Sequence, residues 1–149
     1  MASNVVNRKT VRTAVKTVLE TELVGVGKPA QAIYGYQVAD FSRQSPVIVV
    51  TSGGSRRGVL SSKELGDTAF EIIVHVFVLY AQDDGTWTES QSEDSLDDLE
   101  KEITDTLTDA FDSQNWLLLG VSGYSFLDPV IIGDEEYRHE AITLIIGVS

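Results

Sequence analysis

The sequence predicts a single α+β domain over residues 1–149, with an antiparallel or mixed β-sheet and two amphipathic helices packed on one face. Two segments carry apolar residues at helical spacing, and several others are runs of β-branched apolar residues. Their order along the chain is helix, strands, helix, strands. A chain of 149 residues can bury one core but is too short for two.

The first helix is predicted over residues 7–22. Asn7 or Thr10 would cap its start, and Gly25 and Gly27 would end it. Its apolar residues recur every three or four positions and therefore share one face. They are Val11, Ala14, Val15, Val18, Leu19 and Leu23.

Predicted β-strands follow the first helix. Residues 33–36 and 47–50 are both predicted strands, and the second is apolar throughout, which indicates a buried strand. The glycine-rich residues 52–58 are predicted to be a mobile loop or a hairpin tip. Residues 70–80 are the strongest strand in the chain, and their apolar groups on both faces predict a central position. A turn is expected at residues 83–85.

The second helix is predicted to be capped by Ser92 or Ser95 and to be acidic outside and apolar inside. Its buried stripe is expected to contain Leu96, Leu99, Ile103, Leu107, Ala110 and Phe111.

The last third of the chain is predicted to be strands. Short apolar runs lie at residues 117–119, 124–126 and 130–132. Residues 133–135 predict a turn, and residues 137–148 predict the closing strand.

Composition excludes several classes of protein. The absence of cysteine excludes disulfides, thiolate metal sites and cysteine nucleophiles. The apolar runs are much shorter than a membrane span, and the first residues do not resemble an export signal, so use without Sec export is expected. The formal charge of −12 disfavours nonspecific binding to nucleic acid or anionic lipid.

No catalytic, cofactor-binding or metal-binding residue is predicted, and the chain is not expected to be an enzyme. His75 lies in mid-strand and is interpreted as a partly buried histidine with a hydrogen-bond partner, and His139 is no better placed. Neither has a ligand partner at a spacing such as HExxH. Residues 53–58 lack the ending of a P-loop, and no serine lies in a GxSxG motif.

Charge is segregated along the sequence. Basic residues dominate the first 28 positions, whereas residues 83–112 carry twelve acids and only Lys101 as a base. The spacing of Arg8, Arg12 and Lys16 places them on one helical face. Such a face would suit a subunit that docks head to tail onto copies of itself, and an ordinary solvated face is equally compatible.

The order of elements resembles the tail terminator family of long-tailed bacteriophages and related archaeal tailed viruses. The resemblance covers the helix at residues 11–23, the strand at 46–51 with its glycine-rich hairpin, and the long strand at 70–80. It continues through the acidic helix at residues 92–111 and the closing strand YRHEAITLII at 137–146. It implies a homohexameric ring that caps the finished tail tube, ends its polymerisation and joins the tail to the head connector.

The resemblance also implies a location and partners. The protein would be made in the host cytoplasm and lie at the head-proximal end of the virion tail. Its partners would be further copies of itself, the tail tube protein and a head–tail connector or neck protein. DNA would pass through the acidic ring without specific binding. No cofactor or turnover is implied.

Under this interpretation, Arg56 and Arg57 in the glycine-rich hairpin are candidate contacts. With Arg8, Arg12 and Lys16 they form the predicted subunit or tube interface. The alternatives are a head-side neck or connector completion protein, a small monomeric binding module, and a hydrolase or nucleotide-binding enzyme.

Overall fold

The computed structural model describes residues 7–57, 68–80, 87–110, 116–121 and 126–148. These residues form two helices and one mixed six-stranded sheet, which confirms the predicted α+β class. The elements are α1 (Arg8–Leu23), β1 (Ala32–Tyr34), β2 (Val47–Arg57), β3 (Thr68–Leu79), α2 (Glu89–Ala110), β4 (Trp116–Val121), β5 (Phe126–Ile132) and β6 (Glu135–Val148).

The sheet has the order β1-β2-β3-β6-β4, and β5 pairs with β6 beside β4. β1 runs parallel to β2, and the other pairs are antiparallel. β3 is central, as predicted, because its apolar groups point to both faces and both need cover. The runs at 126 and 130–132 belong to one strand, β5, which tolerates Pro129 because it lies at the sheet edge.

Helix α1 begins where the sequence predicts. The side chain of Asn7 caps it by accepting a hydrogen bond from the Thr10 backbone N–H at 2.8 Å. The helix ends at Leu23, and Gly25 then adopts a φ of 136° that favours glycine. Its buried residues are Val11, Val15, Leu19 and Leu23.

Helix α2 begins at Glu89, so the predicted cap at Ser92 or Ser95 is wrong. Thr88 and Gln91 form a capping box instead. The Thr88 hydroxyl accepts from the Gln91 backbone N–H at 3.2 Å, and the Gln91 side chain accepts from the Thr88 backbone N–H at 2.9 Å. Ser92 is therefore inside the helix, fully buried.

The predicted apolar stripe of α2 is correct for Leu96, Leu99, Ile103 and Leu107, which are all buried. Ala110 is exposed because the helix ends there, so its place in the predicted stripe is wrong. Phe111 lies outside the described residues.

Both helices pack on one face of the sheet, as predicted. α1 lies over β1, β2 and β3, whereas α2 lies over β3, β6 and β4. Alternate residues of the central strands point towards them and form the main core, including Ile48, Val50, Phe70, Ile72, Val74, Val76, Ile142, Leu144 and Ile146. The two helices thus cover adjacent parts of the sheet and pack against each other.

Residues 35–46 cover one end of the opposite face. Phe41 is buried there, 5.0 Å from the Phe77 ring and 5.4 Å from the Tyr137 ring between centroids. The Tyr137 hydroxyl donates to the Gln44 carbonyl at 3.0 Å. Gly133, in the turn between β5 and β6, adopts a φ of 63°, a conformation that favours glycine.

The predicted loop at residues 52–58 is wrong over its first six residues. β2 continues to Arg57 and pairs with β3, with a β-bulge between Ser52 and Gly54. A Cβ at Gly53 would lie 3.1 Å from the Cβ of Glu71, so this glycine permits a close approach of strands. Gly58 and the predicted turn at residues 83–85 lie outside the described residues.

Neither of the two helices in the described residues is long and apolar enough to cross a membrane.

Candidate functional site

The structure brings two of the predicted basic residues, Arg8 and Arg12, against the far end of β2. Arg8 donates through Nη1 to Oγ of Ser55, and Arg12 donates through Nη1 to Oγ of Ser52, both at 3.1 Å. These bonds join the first half of α1 to the far end of β2, and the bonded residues are 47 and 40 positions apart in sequence. The first two turns of α1 therefore lie against the end of β2.

Arg56 and Arg57 complete β2 directly after Ser55, and their backbones pair with Ala69 and Thr68 of β3. Lys16 lies one turn beyond Arg12 on α1. We call Arg8, Arg12 and Lys16 the basic edge.

Lys16 has a partner within its own helix. Its Nζ lies 3.4 Å from Oε1 of Glu20, in an exposed pair of the kind that adds little stability. It extends the basic edge along α1 but is not joined to β2 in the way that Arg8 and Arg12 are.

The charges of α1 oppose the helix dipole. Its first turn has no acidic residue and its last turn has no basic residue, whereas Arg8 and Lys9 lie at the start and Glu22 near the end. A helix dipole favours the reverse arrangement by about 0.3–1 kcal/mol per charge. Helix stability therefore does not explain why the basic residues are there.

A surface of opposite sign lies on α2. Its exposed acidic residues, which we call the acidic face, are Glu89, Asp94, Asp97, Asp98, Glu102, Asp105 and Asp109. The one base among them, Lys101, lies 2.5 Å from Asp105, and this hydrogen bond raises the pKa of Lys101. Both surfaces lie on the helix side of the sheet, where α1 and α2 pack against each other: the basic edge begins where α1 meets the end of β2, and the acidic face is on the exposed side of α2.

A polar chain of three side chains crosses the sheet face opposite the helices. Oγ1 of Thr51 in β2 lies 3.0 Å from Nε2 of His75 in β3, and Nδ1 of His75 lies 2.8 Å from Nε2 of His139 in β6. All three residues are half-buried. The His139 ring stacks on Phe77, with centroids 4.5 Å apart and planes 13° apart.

Sequence reasoning predicted a hydrogen-bond partner for His75 but missed that the partner is the other histidine. The two residues are 64 positions apart, and only the antiparallel pairing of β3 with β6 makes them diagonal neighbours. No local motif could have signalled this contact. Over the described ranges, no group of three or more histidine, cysteine, aspartate or glutamate side chains could hold a metal ion.

Comparison with known proteins adds no assignment. No protein-family model matches the chain, and no curated protein matches its sequence significantly. The two charged surfaces and the histidine pair are therefore the basis for any statement about function.

Proposed function

We propose that this chain is a structural subunit of a tailed virus that assembles head to tail into a ring, caps the tail tube and joins it to the head connector. The observation that carries the proposal is that one domain presents two distinct surfaces of opposite charge, the basic edge on α1 and the acidic face on α2. A surface that meets a different surface of the next copy generates a closed ring when the rotation between copies closes.

Charge supports this mode of assembly. The chain carries a formal charge of −12, so two copies repel each other in most orientations. Docking the basic edge of one copy against the acidic face of the next is an orientation in which opposite charges meet. The unfavourable dipole placement of Arg8 and Lys9 is consistent with a role for these charges outside their own helix.

The first prediction is that reversing either surface abolishes the ring. Arg8→Glu with Arg12→Glu should give monomers, and so should Asp98→Lys with Asp105→Lys, because each change places like charges across every interface. The measurement is mass by light scattering at low salt, followed by negative-stain imaging. Since part of the attraction is between exposed charges, the native ring should also weaken as salt is added.

Mixing the two variants provides the decisive control. In an alternating ring, the reversed edge of one variant meets the reversed face of the other, so an equimolar mixture should recover rings of even subunit number. Ser52→Ala with Ser55→Ala removes the hydroxyls that accept from Arg8 and Arg12 but keeps the charges. This control should still form rings, which separates charge from local folding.

Ring symmetry discriminates between the related virion roles. A six-membered ring supports a tail terminator, whereas a ring of another symmetry supports a head-side neck or connector protein. A native protein that is monomeric at all concentrations and does not respond to the tail tube protein would contradict both roles.

Arg56 and Arg57 test the contact with the tube separately. In the virus that encodes the chain, Arg56→Glu with Arg57→Glu should give tails of abnormal length. Normal assembly and normal tail length would exclude these two residues as a contact site.

A further inference from the structure

The contact between Thr51 and His75 influences which ring nitrogen of His75 carries a proton. A histidine that binds a metal through one ring nitrogen usually donates the other N–H to an oxygen, which sets its tautomer and its ring orientation. Oγ1 of Thr51, 3.0 Å from Nε2 of His75, supplies such an oxygen. The tautomer that donates to Thr51 has an unprotonated Nδ1 facing His139.

The second imidazole is also held in place. The His139 ring stacks on Phe77 at 4.5 Å, and its plane is 18° from that of His75. The two nitrogens that face each other, Nδ1 of His75 and Nε2 of His139, are the pair separated by 2.8 Å. These two imidazole nitrogens, which are common metal ligands in proteins, are therefore already adjacent.

Their separation suits two neighbouring ligands of one ion. Metal–imidazole bonds are about 2.0–2.1 Å long, so two nitrogens bound at a right angle lie about 2.8–3.0 Å apart. Right-angled ligand pairs are typical of tetragonal Cu²⁺ and Ni²⁺ sites. Both rings must turn about their side-chain bonds to direct their lone pairs at the ion, and the half-buried position of both histidines gives the ion access from solvent.

We propose that His75 and His139 bind one Cu²⁺ or Ni²⁺ ion on the sheet face opposite the helices. The ion replaces the proton that the two imidazoles share. Water fills the other coordination positions, since the part of the chain that the structure describes holds no cluster of three such ligands. The formal charge of −12 favours the approach of a cation, and the site does not depend on ring assembly.

Titration of the untagged full-length chain with Cu²⁺, followed by calorimetry and electron paramagnetic resonance, tests the site. We expect one ion per chain and hyperfine coupling to two imidazole nitrogens. The chain has only two histidines, so that coupling identifies them without ambiguity. Affinity should follow the order Cu²⁺ above Ni²⁺ and Zn²⁺.

Variants separate ligands from positioning residues. His75→Ala and His139→Ala should each lower the Cu²⁺ affinity by more than tenfold and remove one nitrogen coupling. Thr51→Val should lower the affinity by about tenfold while both couplings remain, because its role is to orient His75. Asp98→Lys with Asp105→Lys is the matched control for binding to surface carboxylates and should leave the nitrogen coupling unchanged.

Two results would overturn the proposal. One is the absence of saturable binding or of nitrogen coupling in the native protein, a measurement that needs no variant to fold. The other is unchanged affinity in either histidine variant, which would place the ion elsewhere on the chain.

Discussion

The two faces of the sheet differ in the type of side chain they carry and in how deeply those side chains are buried. On the helix side, Ile72, Val74 and Val76 of β3 are completely buried against α1 and α2. On the other side, the alternate residues Ile73 and His75 of the same strand are half-buried. The face that the chain covers with its own helices is mostly apolar, whereas the partly open face carries the hydrogen-bonded side chains of Thr51, His75 and His139. The helix face therefore contributes most of the buried apolar core, whereas the opposite face leaves polar side chains partly accessible.

The largest expected effect is a loss of folding stability that is greater on the helix face of the sheet than on the opposite face. Ile72→Ala should lower the free energy of unfolding by about 2–5 kcal/mol, because it leaves a cavity in the main core. Ile73→Ala removes the same atoms from a half-buried position one residue away and should cost about 1 kcal/mol. Urea denaturation of the two variants measures the difference.

This pair is its own matched control, since residue type, strand and backbone are shared. Equal losses for Ile72→Ala and Ile73→Ala would contradict the comparison. They would mean that the opposite face is as well packed as the helix face.

A smaller loss of stability is expected from removing a buried hydrogen bond between α2 and β3. Ser92 is fully buried and its hydroxyl donates to the Leu79 carbonyl at the end of β3. Ser92→Ala removes that donor and should cost about 1–3 kcal/mol, because a buried carbonyl is left without it. Thermal unfolding would measure the loss. Ser90 is exposed on the same helix, so Ser90→Ala should change stability by less than about 0.5 kcal/mol. If Ser90→Ala cost as much stability as Ser92→Ala, the hydrogen bond of Ser92 would not be the cause of the loss.

The smallest effect concerns the covered end of the opposite face. Tyr137→Phe removes the hydrogen bond to the Gln44 carbonyl and should cost about 1 kcal/mol near neutral pH. Burial, with the nearby carboxylate of Glu135, raises the pKa of Tyr137 from its ordinary 10.0 to about 12. The folded state thus keeps a proton that the unfolded chain releases, so native stability should fall as pH rises from 10.0 to about 12.

Urea denaturation across this alkaline range tests the Tyr137 effect. The Phe variant should lose less stability than the native protein as pH rises. Tyr36→Phe is a suitable control because Tyr36 is 66% exposed. Parallel pH profiles for the native protein and Tyr137→Phe would contradict the prediction.

Local patterns in the sequence predicted most of the fold. The stripe from Val11 to Leu23 and the one from Leu96 to Leu107 predicted both helices, because helical spacing is visible within a few residues. The errors came from competing local signals. Ser92 was a plausible cap, but the capping box of Thr88 and Gln91 was the better one and was also present in the sequence.

The glycine-rich end of β2 shows a different kind of error. Glycines favour a loop when only neighbours along the chain are considered. Here Gly53 forms a bulge and lets Glu71 of β3 approach closely, so the segment stays in the sheet. Pairing with a distant strand overrode the local preference.

The sequence by itself determined the fold class, the central place of β3 and the charge of each helix, because periodicity and composition act over short stretches of chain. Only the tertiary structure decided which distant residues meet. Arg8 reaches Ser55, 47 positions away, and His75 reaches His139, 64 positions away. Both contacts depend on strand register and on how α1 packs across the sheet, which are set by the burial of the whole core rather than by any local motif.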